Sequence, residues 1–175
     1  MLEQPALRLQ PWMWIEPRRT SPDEFSGWTR RINAEKSGSE LGCVRKLPSL
    51  SIFNLGPNRL EVCETEDAAL LMSLEQGWFS FGRWRVLDAE GLQVGSVIGP
   101  HLLDEQGSDL AAVSDESPAA KGIRRKDDAV LSQLEIAKDG TLIVRFAADL
   151  EANPFLRMVL LGACILQQPC PPRSR

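Results

Sequence analysis

Between Phe155 and Leu166 the chain is apolar on every side except at Arg157. Asn153 has the side chain of an N-cap and Pro154 suits the first helical position, so this run opens as a helix. A helix that is apolar all round must be enclosed, by protein or by lipid. About 12 residues are too few to cross a bilayer, which takes about 20. What surrounds this helix is therefore the question for the rest of the chain, and Gly162 and Ala163 would let a surrounding wall come close. A core plug is preferred to membrane insertion, because a lipid-facing helix would leave the wall unfilled.

The wall is written as hairpins. Trp84–Val97 reads as strand, acidic turn and strand. Trp28–Glu35, turning through Lys36–Ser39 into Glu40–Val44, is a looser copy. A third unit runs Leu60–Met72, and a fourth leaves Leu134–Ala137, turns at Lys138-Asp139-Gly140 and returns through Phe146. Alternating apolar and polar residues around Asp, Asn and Gly are the signature of antiparallel pairing. Two readings stay open, an internally repeated hairpin and the ordinary alternation of any antiparallel protein. Both lead to a meander that closes as a barrel or a sandwich. Pro11–Glu16 resembles a short strand. Ser21-Pro22-Asp23-Glu24 has capping-box form, which predicts one or two helical turns before Trp28. From Leu102 to Asp128 the chain is polar and turn-rich, with a strand expected around Leu110–Val113 and surface loop elsewhere. The tail, 169–175, is expected to be disordered.

At 175 residues the chain fits one domain, taken as 1–168 with an atypical N-terminal part, 1–48, and a central hydrophobic helix at 153–168. A net charge of -4 gives no global attraction for nucleic acid. The four cysteines form no CxxC pair, which fits reduced thiols in a cytosolic protein. Met1–Pro5 lacks the features of a signal peptide. The expectation is a cytoplasmic protein with, at most, peripheral membrane contact.

Together the hairpins and the terminal helix resemble the phospholipid scramblase and LURP-one-related branch of the tubby C-terminal-like superfamily. The match is best at Arg157–Leu166, with its small Gly162-Ala163-Cys164 step. It is looser at Leu71–Gly99, where Gly77-Trp78-Phe79-Ser80-Phe81 leads into Arg83–Asp88. The resemblance covers about Leu50 to Gln168. It implies an all-β dominated fold, a closed antiparallel β-barrel of about twelve strands enclosing the C-terminal helix. The helix of 155–168 would be about 20 Å long, close to the height of such a barrel.

Catalytic constellations are thin. His101, the sole histidine, sits after Gly99-Pro100 and reads as an ordinary surface or half-buried residue at a strand end or loop. There is no GxSxG, GxGxxG, Walker or HExxH pattern, so no catalytic residue, cofactor or metal ligand is assigned. Scramblases carry a proposed calcium segment just before the terminal helix. Of it only Asp139 survives here, beside Lys138, which argues against calcium activation. The acidic loop Asp104–Glu116 reads as solvated. Tubby domains are associated with phosphoinositides through surface cations, and the candidates are Lys121, Arg124, Arg125 and Lys126, with Arg30, Arg31, Arg45 and Lys46 as possible neighbours. Asp127 and Asp128 dilute that field. Most of the five tryptophans are expected in the core or in cross-strand pairs, with Trp78 and Phe79 as candidate rim residues against membrane or ligand. The function expected is a non-enzymatic binding domain for anionic phospholipid. The alternative is a protein-interaction or structural module without lipid affinity.

Overall fold

The computed structural model describes residues 1–15, 27–47, 58–65, 68–77, 80, 82–117, 120–148, 150 and 153–168. The strands are β1 (Ala6–Leu9), β2 (Met13–Ile15), β3 (Gly27–Ala34), β4 (Glu40–Leu47), β5 (Asn58–Glu64), β6 (Leu70–Gln76) and β7 (Arg83–Asp88). They continue as β8 (Gln93–Ile98), β9 (His101–Asp104), β10 (Asp109–Ser117), β11 (Ala120–Arg124), β12 (Val130–Ile136) and β13 (Leu142–Phe146), before the helix α1 (Pro154–Leu166). From β3 to β13 each strand pairs antiparallel with the next.

β1 closes the circle. It pairs with β13 on one side, Leu7 opposite Val144, and with β3 on the other, Leu7 opposite Ala34. The result is a closed antiparallel barrel of twelve strands, with β2 as one extra strand alongside the start of β3. Arg145 reinforces the seam from outside, reaching Glu35 at 2.6 Å and Glu135 at 3.1 Å. This is the architecture expected from the resemblance.

Alternation sets which way each side chain points. In β13 Leu142, Val144 and Phe146 face inward while Ile143 and Arg145 face out. Hairpin turns are fixed by aspartates. Asp104 Oδ1 accepts from Gln106 N at 2.9 Å and Ser108 N at 2.7 Å, and Gly107 supplies the left-handed backbone (φ +85°) that such a turn requires.

The helix fills the barrel. Its N-cap is Asn153, whose side chain accepts from Leu156 N at 3.0 Å, and every residue from Arg157 to Ile165 is buried. Thirteen residues span about 20 Å at 1.5 Å per residue. Burial of each large aliphatic side chain here contributes on the order of 1.5–3 kcal/mol. Two glycines set the distance between helix and wall. A Cβ at Gly162 would lie 2.8 Å from Leu74 Cδ2, and one at Gly95 on β8 would lie 2.5 Å from Val159 Cγ2 and 2.7 Å from the Leu103 carbonyl oxygen. Arg157, the one interruption in the apolar run, is also buried. Its guanidinium donates to the Leu2 carbonyl and lies 5.6 Å from the Phe146 ring.

Three expectations need correction. The stretch from Leu102 to Asp128 is not a loop with one short strand but most of β9, all of β10 and all of β11. Its charged residues do not mark a loop: Asp115 and Lys121 lie opposite each other on β10 and β11, on the same face as Val113 and Ile123 but at the rim of the barrel, where Asp115 is exposed. β1 has no counterpart in the sequence reading, although Leu7 and Leu9 are fully buried. The first helical turn projects from the barrel, with Phe155 52% exposed. The helical turns expected at Ser21–Glu24 and the disordered tail at 169–175 lie outside the described residues.

The glycine geometry generates a prediction. Gly95→Ala presses a Cβ against backbone and a stiff β-branched side chain, and should cost about 2 kcal/mol or more by overpacking. Gly162→Ala presses on the Cδ2 end of Leu74, with Val86 Cγ2 at 3.4 Å and Met72 Cε at 3.6 Å in ordinary contact, and gains about 1 kcal/mol of helix propensity, so its net effect should be near zero. Urea denaturation of the two variants checks this order. Equal destabilisation would contradict the packing described.

Candidate functional site

The helix gives the barrel two distinct mouths. At the upper mouth, where α1 begins, lie the turns β3–β4, β7–β8, β9–β10 and β11–β12. At the lower mouth, where α1 ends, Gln168 Nε2 donates to Gly140 O at 3.3 Å and Lys121 Nζ donates to Gln167 Oε1 at 2.9 Å.

Their chemistries differ. The upper turns carry Glu35, Glu40, Glu90, Asp104, Glu105 and Asp127. A cleft there is lined by Asp104, Glu105, Asn153 and Phe155, and a second by Asp109, Arg125, Lys126 and Leu156. The lower mouth gathers all four described tryptophans. Trp14 and Trp28 face each other across β2 and β3, their rings edge to face at 5.6 Å. Trp12 and Trp84 line a cleft of about 200 Å³ together with Lys46, Asn58, Leu60, Ile165, Leu166 and Gln168. Met13 and Ile15, on the same rim, are 42% and 43% exposed.

Beneath Trp12 sits Arg30, fully buried. Its Nε donates to Gln10 O at 2.8 Å, and its Nη2 donates to Leu9 O at 3.0 Å and to Gln168 Oε1 at 2.9 Å. Its Cζ lies 5.4 Å from the Trp12 ring centre, and Trp12 Nε1 donates to Gln168 O at 2.9 Å. Burial lowers the Arg30 pKa to about 10, and burial pushes the thiol of Cys164, deeper in the same region, up to about 12.

The four candidate cations do not form one patch. Lys121 belongs to the lower mouth, bonded to Gln167 and 3.4 Å from Asp115. Arg124, Arg125 and Lys126 belong to the upper mouth, beyond the opposite end of β11. There Arg124 Nη1 donates to Asp128 O at 3.5 Å, Arg125 lies 4.0 Å from Asp127, and Lys126 lies 3.6 Å from Asp109. Of the suggested neighbours, Lys46 lines the lower cleft, Arg30 is interior and Arg31 pairs on the outside with Glu40 at 3.6 Å. Trp78 and Phe79 lie outside the described residues. His101 is exposed at the start of β9, 3.8 Å from Asp109. Asp139 caps its own turn, accepting from Thr141 N at 2.9 Å, and that bond holds its carboxyl below the usual range. Among the described residues no three His, Cys, Asp or Glu side chains converge as a metal ion requires. No helix among them is long and apolar enough to cross a membrane.

Neither a protein-family model nor a curated protein matches this chain. Among solved structures, a crystal structure of the Arabidopsis thaliana protein AT5G01750 is similar, with a TM-score of 0.56 and 12% identity over 94% of this chain and 91% of that one. A likeness at that identity concerns the fold.

Sequence reading missed Arg30 as an interior residue. Trp28-Thr29-Arg30-Arg31 offers adjacent cations that look alike, and only strand parity distinguishes the inward one from the outward one. Cysteine labelling tests the interior described here. Native protein should react with a thiol reagent at Cys43, which is partly accessible, while Cys164 stays protected until global unfolding. Comparable native rates at both would contradict the enclosed helix.

Proposed function

We propose that this chain is a non-enzymatic binding domain that docks peripherally on anionic phospholipid surfaces with its lower mouth. The observation that supports this is the gathering of the four described tryptophans, with Lys46 and the exposed Met13 and Ile15, at one mouth. Tryptophan and lysine are the residues that settle at a membrane interface, the ring at headgroup level and the ammonium reaching water. Exposed Met13 and Ile15 would enter the acyl boundary beside them. The upper cations are each held by a nearby acid or by the Asp128 carbonyl, which leaves little field for an anionic surface.

The likeness to the scramblase branch of the tubby-like barrels agrees with a binding role, on fold alone. The absence of a motif for nucleophilic catalysis from the sequence supports the non-enzymatic reading.

Co-sedimentation with phosphatidylserine vesicles tests the proposal. The wild type should bind in a salt-sensitive manner. Lys46→Ala should weaken binding about fivefold, the worth of one cation near an anionic surface at about 1 kcal/mol. Met13→Asp with Ile15→Asp should abolish binding, and Arg124/Arg125/Lys126→Ala should leave it within about twofold. Loss on the triple change alone would move the site to the upper mouth. A wild type that binds no vesicles would leave a protein-interaction module as the reading.

A further inference from the structure

Among the described residues, the guanidinium of Arg30 meets only neutral partners: the carbonyls of Leu9 and Gln10, the side-chain amide of Gln168 and the face of Trp12. Its Nη1 is buried without a hydrogen-bond partner among them. Buried charges are ordinarily paired with an opposite charge. Arginine presents five N–H donors in a planar fork that fits a carboxylate or a phosphate. Two of those donors, on Nη1, have no acceptor among the described residues.

The bond from Nη2 to Gln168 Oε1 is of a different kind from the other two. Leu9 and Gln10 are backbone, fixed by barrel closure. Gln168 lies past the end of α1 on a half-buried side chain, held by Trp12 Nε1 at its carbonyl and by Gly140 at its amide. Its amide oxygen occupies the place an anion's oxygen would take. Trp12 and Gln168 are also walls of the lower cleft, whose other sides combine Lys46 with Leu60, Trp84, Ile165 and Leu166. The cleft has a volume of about 200 Å³. That suits one anionic head and a short stretch of a single apolar chain.

We infer that Arg30 is the anchor of a concealed oxyanion site, which a single-chain amphiphile with a phosphate head reaches by displacing the Gln168 side chain and laying its chain along Leu60, Trp84 and Leu166. The inference rests on the lower mouth being the binding end, and it names the individual ligand that this end would take from a surface or from solution. Gln168 acts as a gate that satisfies Arg30 when the ligand is away.

Calorimetric titration with dodecyl phosphate below its micelle concentration, with inorganic phosphate as a second probe, tests this on the full chain. Wild type should bind dodecyl phosphate, and inorganic phosphate at least tenfold more weakly. Gln168→Ala, which removes the competing oxygen and leaves the barrel intact, should bind dodecyl phosphate several-fold more tightly. Arg30→Gln, if folded by circular dichroism, should lose at least tenfold. No binding by wild type, or unchanged affinity in Gln168→Ala, would overturn the site even if Arg30→Gln fails to fold. Equal affinity for the two probes would overturn the role of the apolar wall. Binding of the soluble probe with no binding to vesicles would keep this site and remove the membrane reading, whereas vesicle binding without the soluble probe would do the reverse.

Discussion

Everything in this molecule depends on enclosing a helix that has no polar side. A two-layer sandwich covers one stripe of a helix, and only a closed sheet covers all of it. Closure falls to β1, the four residues Ala6–Leu9 that join β3 to β13. Leu7 and Leu9 then become core on the same terms as Leu160 and Leu161 at the centre of the helix. Barrel and plug are mutually dependent. The wall has no interior without the helix, and the helix has no solvent-compatible face without the wall. Gly95 and Gly162 make the fit possible by removing side chains where the two come closest.

The enclosed helix also gives the barrel an axis. Its macrodipole is positive where α1 begins and negative where it ends. Carboxylates Asp104 and Glu105 lie in the cleft beside Asn153 at the first end, while Arg30 and Lys121 meet Gln168 and Gln167 at the second. No basic residue lies in the last turn of the helix itself, so the barrel supplies the cations its C-terminus would otherwise lack. The difference between the two mouths therefore has a structural basis as well as the binding role proposed for the lower one.

Much of this architecture was legible in the sequence, because hairpins and an all-apolar helix are local patterns. The pairs β3–β4, β5–β6, β7–β8 and β12–β13 fall where the alternation and the turn residues place them. β1 was not legible, since four residues carry too little periodicity and its partners lie far away in the chain. β10 and β11 were obscured by their charged residues, Asp115 and Lys121 at the rim among them, which in one dimension look like a loop. The candidate cations were recognisable as residues but not as a group. Lys121 and Lys126 are close in sequence, yet a strand running the height of the barrel separates them onto opposite mouths.

By itself the sequence determined a short helix, apolar but for Arg157, that must be buried, and a series of antiparallel hairpins, because hydrophobic burial and side-chain alternation act locally and leave a visible pattern. Only the tertiary structure decided that β1 closes the wall, that Arg30 faces inward while Arg31 faces out, and that Trp12, Trp14, Trp28 and Trp84 share one rim. Those outcomes depend on strand parity and on which turns lie at the same end of the barrel. Both are fixed when the sheet closes, and neither is written in any single stretch of the chain.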